Sequence, residues 1–151
     1  MKVINISGDN HSGRTRALIS FVESQALSFD SKCIIVCPTK EWAQKTRSIF
    51  RLNCSDKSFS KVRFVSSIDL EENLIGHSYD VIAYDGIERF SANNERYYKT
   101  IASSRLLSKP FGTFAYTSNG KNYRVSRWVS QAVWYKPWTW KDGYYTHYVE
   151  L

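Results

Sequence analysis

The sequence reads Val3-Ile4-Asn5-Ile6 and then, after Ser7, Gly8-Asp9-Asn10-His11-Ser12-Gly13-Arg14-Thr15. The first run is short and apolar, and the second has a glycine at its start and another near its end. Beyond it, apolar residues recur every three or four positions, at Leu18, Val22, Ala26 and Phe29. This spacing is typical of a helix with one apolar face. The stretch therefore predicts a strand, a loop and a helix in direct succession.

The loop fits the pattern G-x-x-x-x-G-K-[ST] except that Arg14 replaces the lysine. In that pattern backbone N–H groups surround phosphates, the lysine reaches phosphate oxygens and the hydroxyl holds Mg²⁺. Arginine keeps the positive charge but spreads it over a planar fork. We therefore expect Gly8, Ser12, Gly13, Arg14 and Thr15 to bind a nucleotide, with Thr15 also at the metal. The alternative is a glycine turn that matches a short pattern by chance.

Length and composition favour one folded domain, because the chain has 151 residues and 42% of them are hydrophobic. No apolar run is long enough for a membrane span and no signal region is recognised, so we expect a cytoplasmic protein, in the host cytoplasm if it is viral, with no membrane partner. The net charge of +7 favours a polyanion such as nucleic acid. Cys33, Cys37 and Cys54 lack metal-site spacing and are expected to act as small buried hydrophobes.

Strands and helices alternate over residues 1–120. After the first strand, further strands are predicted at 33–37, 62–65, 81–84 and 113–117, with helices over 40–50, 68–75 and 94–107. Such alternation predicts an α/β fold, an open and mostly parallel five-stranded sheet with helices on both faces. Residues 1–120 would form this domain.

Residues 121–151 follow another pattern, in which aromatic and polar residues alternate. The run from Trp138 to Tyr145 contains an Asp-Gly pair and predicts an antiparallel, aromatic-rich β-hairpin packed on the same domain. Rings stack on bases and cations follow phosphates, so this segment supplies candidate nucleic-acid contacts: Arg124, Arg127, Trp128, Lys136, Trp138 and Lys141. Cross-strand packing and a protein interface are the alternatives.

A second motif is Tyr79-Asp80-Val81-Ile82-Ala83-Tyr84-Asp85-Gly86-Ile87-Glu88, a buried strand followed directly by Asp85. Ligands collect at the carboxyl ends of the strands in such sheets. The run resembles a Walker B motif, whose carboxylate holds the Mg²⁺ shell opposite the loop hydroxyl. The alternative is an aspartate that caps a turn before Gly86.

With both motifs, residues 1–120 resemble P-loop NTPases, and more narrowly the first RecA-like domain of superfamily 2 helicases and viral terminase ATPases, with degenerate Walker motifs. The resemblance implies ATP or another NTP with Mg²⁺ as cofactors, and nucleic acid as a partner. Cys37-Pro38-Thr39-Lys40 is similar to the helicase segment that contacts the nucleic-acid backbone, which adds Lys40 to the candidates. Thr117 and Ser118 occupy the place of the family's coupling motif and would sense the γ-phosphate.

Besides Arg14, the chain departs from this family at Gly86. Such motors place a glutamate there to polarise the attacking water. Asp85 and Glu88 are then the catalytic candidates, with Glu88 as provisional base from the next turn and Glu41 as another possibility. A motor also needs an arginine finger, which a protein partner or a homo-oligomer would supply.

Three functions stay open. The first is a P-loop NTPase-like protein that binds ATP and Mg²⁺ and acts on nucleic acid, with slow or partner-dependent hydrolysis. The second is an inactive P-loop domain that serves as a nucleic-acid-binding or protein-binding adaptor. A nucleoside kinase similar to thymidine kinases ranks lower, because the chain lacks that family's glutamate and four-cysteine zinc site.

Overall fold

The computed structural model describes residues 2–8, 13–90, 105–106, 109, 112–118 and 145–150. The strands in these residues are β1 (Lys2–Ser7), β2 (Cys33–Cys37), β3 (Val62–Ser66), β4 (Val81–Tyr84), β5 (Thr113–Ser118) and β6 (Tyr145–Glu150). The α-helices are α1 (Arg14–Ser28), α2 (Lys40–Asn53), α3 (Asp56–Phe59) and α4 (Leu70–Leu74). Single 3₁₀ turns follow β3 at Ser67–Asp69 and β4 at Ile87–Arg89.

The strands form one sheet in the order β3-β2-β4-β5-β1-β6, and every neighbouring pair is parallel. All five strands expected from the sequence are present, so the predicted α/β fold with a parallel sheet is confirmed. Because the strands are parallel, their carboxyl ends all lie on one edge of the sheet.

The last strand was not predicted as part of the sheet. β6 is parallel to β1, with Lys2 opposite Tyr145 and Ser7 opposite Glu150. Alternating residues are compatible with a strand in either direction, so the pattern could not identify the partner strand. The rest of the predicted hairpin, and most of the helix predicted over 94–107, lie outside the described residues.

Two apolar cores cover the two faces of the sheet. Along β2, Cys33, Ile35 and Cys37 belong to the core beneath α1 and α2, while Ile34 and Val36 belong to the core beneath α4. A strand buried on both faces is expected inside a parallel α/β sheet. Helices on both faces are therefore confirmed by the position of the cores.

The starts of α1 and α2 are brought to the carboxyl edge of the sheet by local features of the sequence. Gly13 precedes α1 with a left-handed φ of 89°, which glycine adopts without strain. Thr39 caps α2, because its hydroxyl accepts the backbone N–H of Trp42 at 3.1 Å. Both helix starts therefore lie beside the end of β4. Among the described residues, no helix is long and apolar enough to cross a membrane.

Candidate functional site

The side chain of Asp85, directly after β4, lies at the centre of the carboxyl edge and is only 1% exposed. Its Oδ2 accepts hydrogen bonds from Thr15 Oγ1 at 2.9 Å and from Trp42 Nε1 at 2.8 Å. Its Oδ1 accepts a hydrogen bond from Thr117 Oγ1 at 2.8 Å. Asp85 thus joins the starts of α1 and α2 to the end of β5.

The sheet order explains why these groups meet. β5 lies between β1 and β4, so the first turn of α1 must pass over the end of β5 for Thr15 to reach Asp85. Thr117, on β5, also accepts the backbone N–H of Gly86 at 2.6 Å. One threonine hydroxyl therefore holds both the carboxylate and the turn that follows it.

The electrostatics of Asp85 favour a cation. Its three hydrogen-bond donors are all neutral: the hydroxyls of Thr15 and Thr117 and the indole of Trp42. Among the described residues no Lys, Arg or His nitrogen forms an ion pair with it. A buried carboxylate is costly unless it is paired or hydrogen-bonded, and here the hydrogen bonds leave its charge without a counter-ion.

The donor set also fits Mg²⁺. A carboxylate and a hydroxyl oxygen lie 2.9 Å apart at Asp85 and Thr15. Mg²⁺ commonly takes one or two carboxylates, keeps several waters and completes its shell with substrate phosphates. No cluster of three or more His, Cys, Asp or Glu side chains suited to a metal occurs in the described parts of the chain. A metal at this edge would therefore depend on phosphate oxygens as well as on Thr15 and Asp85.

Arg14 and Glu88 form an ion pair beside this centre. Arg14 Nη1 lies 2.8 Å from Glu88 Oε1, and the two side chains are 8% and 19% exposed. The other oxygen of Glu88 is buried and has no hydrogen-bond partner among the described residues. Arg14 is thus turned toward the 3₁₀ turn after β4, and a phosphate would compete with Glu88 for its charge.

The loop residues that the structure describes suit an anion. Gly8 is fixed by its N–H, which donates to the carbonyl of Ser118 at 3.1 Å. The N-cap of α1 is Gly13, which has no side chain to cap this helix of 15 residues that begins at Arg14. The N–H groups at such a helix start attract phosphate. Ser12 lies outside the described residues.

The predicted polymer contacts are only partly described. Lys40 is exposed at the start of α2 and lines a groove of about 380 Å³ whose walls carry charges of both signs, Arg47, Arg63, Asp69 and Glu72 among them. Glu41 is exposed next to it. The other predicted contacts, Arg124, Arg127, Trp128, Lys136, Trp138 and Lys141, lie outside the described residues.

Sequence reasoning missed Trp42. The sequence alone assigns this tryptophan no role at the Asp85 site. The available signal was its position, three residues after the capping Thr39 in a helix that starts at the same edge as Asp85. A long side chain in that first turn can reach a neighbouring strand end.

Comparison with protein-family models and with curated proteins gives no match. Among solved structures, the chain is similar to the helicase domain of Hef from Pyrococcus furiosus, with a TM-score of 0.64 and 13% sequence identity. The alignment covers 97% of this chain and 34% of that one, so the chain spans about a third of its length. At this identity the similarity concerns the fold alone: the chain has a helicase-like RecA fold.

Proposed function

We propose that the chain is a P-loop NTPase-like domain that binds ATP or another nucleoside triphosphate with Mg²⁺ and works with nucleic acid. The observation that carries the proposal is the hydrogen bond of 2.9 Å between Thr15 and Asp85. It unites the hydroxyl of one sequence motif with the carboxylate of the other across an intervening strand. The neutral hydrogen-bond donors of Asp85 and the N–H groups at the start of α1 add support for a metal and for phosphates.

Each described residue has a distinct role in this proposal. Thr15 and Asp85 would hold Mg²⁺, which supplies charge neutralisation on the phosphates during phosphoryl transfer. Gly13 and the first N–H groups of α1 would surround the phosphates, whereas the N–H of Gly8 donates to Ser118 and would fix the start of the loop. Arg14 would bind phosphate oxygens after exchanging its Glu88 partner for them.

Hydrolysis by the isolated chain is expected to be slow. Gly86 offers no carboxylate beside Asp85, and Glu88 is held as the counter-ion of Arg14 at 2.8 Å. A base that polarises water needs a carboxylate directed at that water. Efficient turnover would therefore require a partner or a second copy that supplies an arginine finger and releases Glu88.

The glycine at position 86 and the ion pair of Glu88 with Arg14 also favour a second candidate, an adaptor without catalysis. In that case nucleic acid would bind with an affinity that falls steeply with salt and is unchanged by nucleotide. The NTPase-like protein instead couples the two ligands, so the affinity for one depends on the other.

Calorimetric titration of ATP, with Mg²⁺ and with EDTA, separates these functions. We expect Mg²⁺-dependent binding in the micromolar range that Arg14→Ala abolishes. Arg16→Ala, which removes an exposed charge from the same helical turn, is the matched control and should bind like the wild type. Absence of binding at millimolar ATP would refute the nucleotide site and leave the adaptor.

A further inference from the structure

Trp42 is the neutral donor to Asp85 whose role the nucleotide site does not yet explain. Its indole Nε1 donates to Asp85 Oδ2 at 2.8 Å, and the same oxygen accepts from Thr15 at 2.9 Å. The indole therefore contacts the carboxylate oxygen that faces the loop hydroxyl. A group at this position affects how that oxygen is presented to a metal.

The indole ring lies close to Gly86 and Arg89, and the backbone of Trp42 is held as well. A Cβ added to Gly86 would lie 3.5 Å from the ring atoms Cη2 and Cζ2, so the glycine packs against the ring. The guanidinium carbon of Arg89 lies 5.1 Å from the ring centroid, within the range of a cation–π contact. The backbone N–H of Trp42 is bonded to the capping hydroxyl of Thr39. The N–H of the ring is thus aimed by packing.

Gly86 and Trp42 are linked by backbone conformation as well as by contact. Gly86 has a φ of 69°, in the left-handed region that an L-residue enters only with strain. The positive φ favours a glycine directly after Asp85 and beside the indole ring, at the site where the helicase-like pattern has a glutamate.

An indole suits a carboxylate that must receive a divalent cation. A lysine or arginine in the place of Trp42 would neutralise Asp85 and repel Mg²⁺. The indole fixes the orientation of the carboxylate and adds no charge. Groups that hydrogen-bond to a metal-binding carboxylate orient it, and their loss weakens metal affinity by about 10–100-fold.

We propose that Trp42 is a positioning residue for Asp85, which orients the carboxylate toward Thr15 and Mg²⁺ through its indole N–H. The inference rests on the proposed function, because it takes Asp85 as the metal carboxylate. Trp42→Phe keeps an aromatic side chain in the first turn of α2 and removes the N–H. We expect it to raise the Mg²⁺ concentration needed for half-maximal nucleotide binding by about tenfold or more, and to leave nucleotide binding in EDTA unchanged.

The experiment is an anisotropy titration of a fluorescent, non-hydrolysable ATP analogue with Mg²⁺, on the wild type and Trp42→Phe. The matched control is Thr46→Val on the same helix, which removes a buried hydroxyl whose partner is Cys37 Sγ at 3.7 Å. The control should lose stability without any change in the Mg²⁺ midpoint. A merely structural role for Trp42 would give the same result for both variants.

The outcomes distinguish this inference from the function on which it rests. If the wild type shows no Mg²⁺-dependent binding, the proposed function fails and the inference fails with it. If the wild type binds and the Trp42→Phe midpoint stays within about twofold, a difference well under 1 kcal/mol, only the role of Trp42 is overturned. A midpoint shift confined to Trp42→Phe supports that role.

The wild-type protein provides a second test that does not depend on the folding of a variant. With ¹⁵N-labelled tryptophan, five indole N–H resonances are expected from the sequence. One of them should exchange slowly with solvent and should shift when Mg²⁺ is added to the nucleotide complex. If no protected indole resonance responds to Mg²⁺ in a protein that binds the nucleotide, the assignment of Trp42 is wrong.

Discussion

Asp85→Asn is the substitution that best separates a structural carboxylate from one that binds a metal. An asparagine has the same shape, and its amide oxygen can accept from Thr15 and Trp42 as Oδ2 now does. Its NH₂ group can donate to Thr117 Oγ1, because that hydroxyl has two lone pairs and uses one for Gly86. The Thr117 hydroxyl proton, which now donates to Asp85 Oδ1, loses that acceptor in the variant, while the other hydrogen bonds at this edge keep a partner.

Without metal, Asp85→Asn should change the free energy of unfolding only slightly, because two effects of opposite sign nearly cancel. Two hydrogen bonds to a charged group become neutral ones and the bond from Thr117 is replaced by one of reversed direction, which loses about 1 kcal/mol for each bond. Against this, the variant no longer buries a carboxylate without a counter-ion, which costs several kcal/mol in a protein interior. We expect a net change of about 1 kcal/mol or less in the free energy of unfolding, or roughly 2–4 °C in Tm for a chain of this size.

The wild type and Asp85→Asn should differ in how much the ligand stabilises their folded state. A ligand at about 100 times its Kd stabilises the folded state by about 2.7 kcal/mol. For a chain of this length that corresponds to a rise of roughly 5–10 °C in Tm. Asp85→Asn should lose the part of this rise that depends on Mg²⁺.

Thermal unfolding is followed by circular dichroism in EDTA, in Mg²⁺ and in Mg²⁺ with ATP. It measures both the stability without ligand and the stabilisation by ligand. Asp69→Asn is the matched control, since Asp69 accepts one hydrogen bond from Ser66 at 2.9 Å and lies at the end of β3. Equal stabilisation of wild type and Asp85→Asn by Mg²⁺ with ATP would refute a metal role for Asp85. A loss of more than about 10 °C without ligand would mean that its charge is needed for folding.

Three further predictions follow from the same region and from the core. Gly86→Glu should cost about 1–2 kcal/mol in urea unfolding because of its φ of 69°, and phosphate-release assays should show no gain in ATP hydrolysis; a faster enzyme would contradict this. Glu88→Gln should strengthen calorimetric Mg²⁺-ATP binding severalfold, since the ion pair between Glu88 and Arg14 no longer competes with phosphate, and weaker binding would count against that competition. Burial raises the pKa of Cys33 and Cys37 from 9.0 to about 12, so both thiols should resist a thiol reagent in the native protein. The stability that depends on keeping these two thiols protonated is complete below about pH 9 and is lost as the pH rises toward about 12. Denaturation at increasing pH will detect this loss.

Much of the fold could be predicted because it depends on local patterns. The burial of β2 on both faces, with its run of five apolar residues, reflects a composition that suits only the inside of a parallel sheet. The meeting of Thr15 with Asp85 was also predictable, because each follows a strand of the same sheet and the carboxyl ends of parallel strands share an edge. Neither prediction required knowledge of which strands are neighbours.

What the sequence could not predict depends on contacts between distant segments. The direction of β6 is set by its pairing with β1, and alternating residues are the same for a parallel and an antiparallel partner. The orientation of Arg14 is set by Glu88, which is close only because the turn after β4 folds back toward α1. The indole bond of Trp42 requires a particular register of α2 on the sheet, which its helical pattern does not encode.

The pairing of Gly86 with Trp42 changes what the missing glutamate means. By sequence alone, a glycine after Asp85 suggests that the whole phosphate site has decayed. In the structure the glycine meets a conformational need, a φ of 69°, and packs against the residue that orients Asp85. The substitution therefore removes the group that would polarise water and leaves the geometry between Thr15 and Asp85 in place. Under the proposed function, metal and nucleotide binding would therefore be separable from hydrolysis, and slow turnover would be no evidence against a functional nucleotide site.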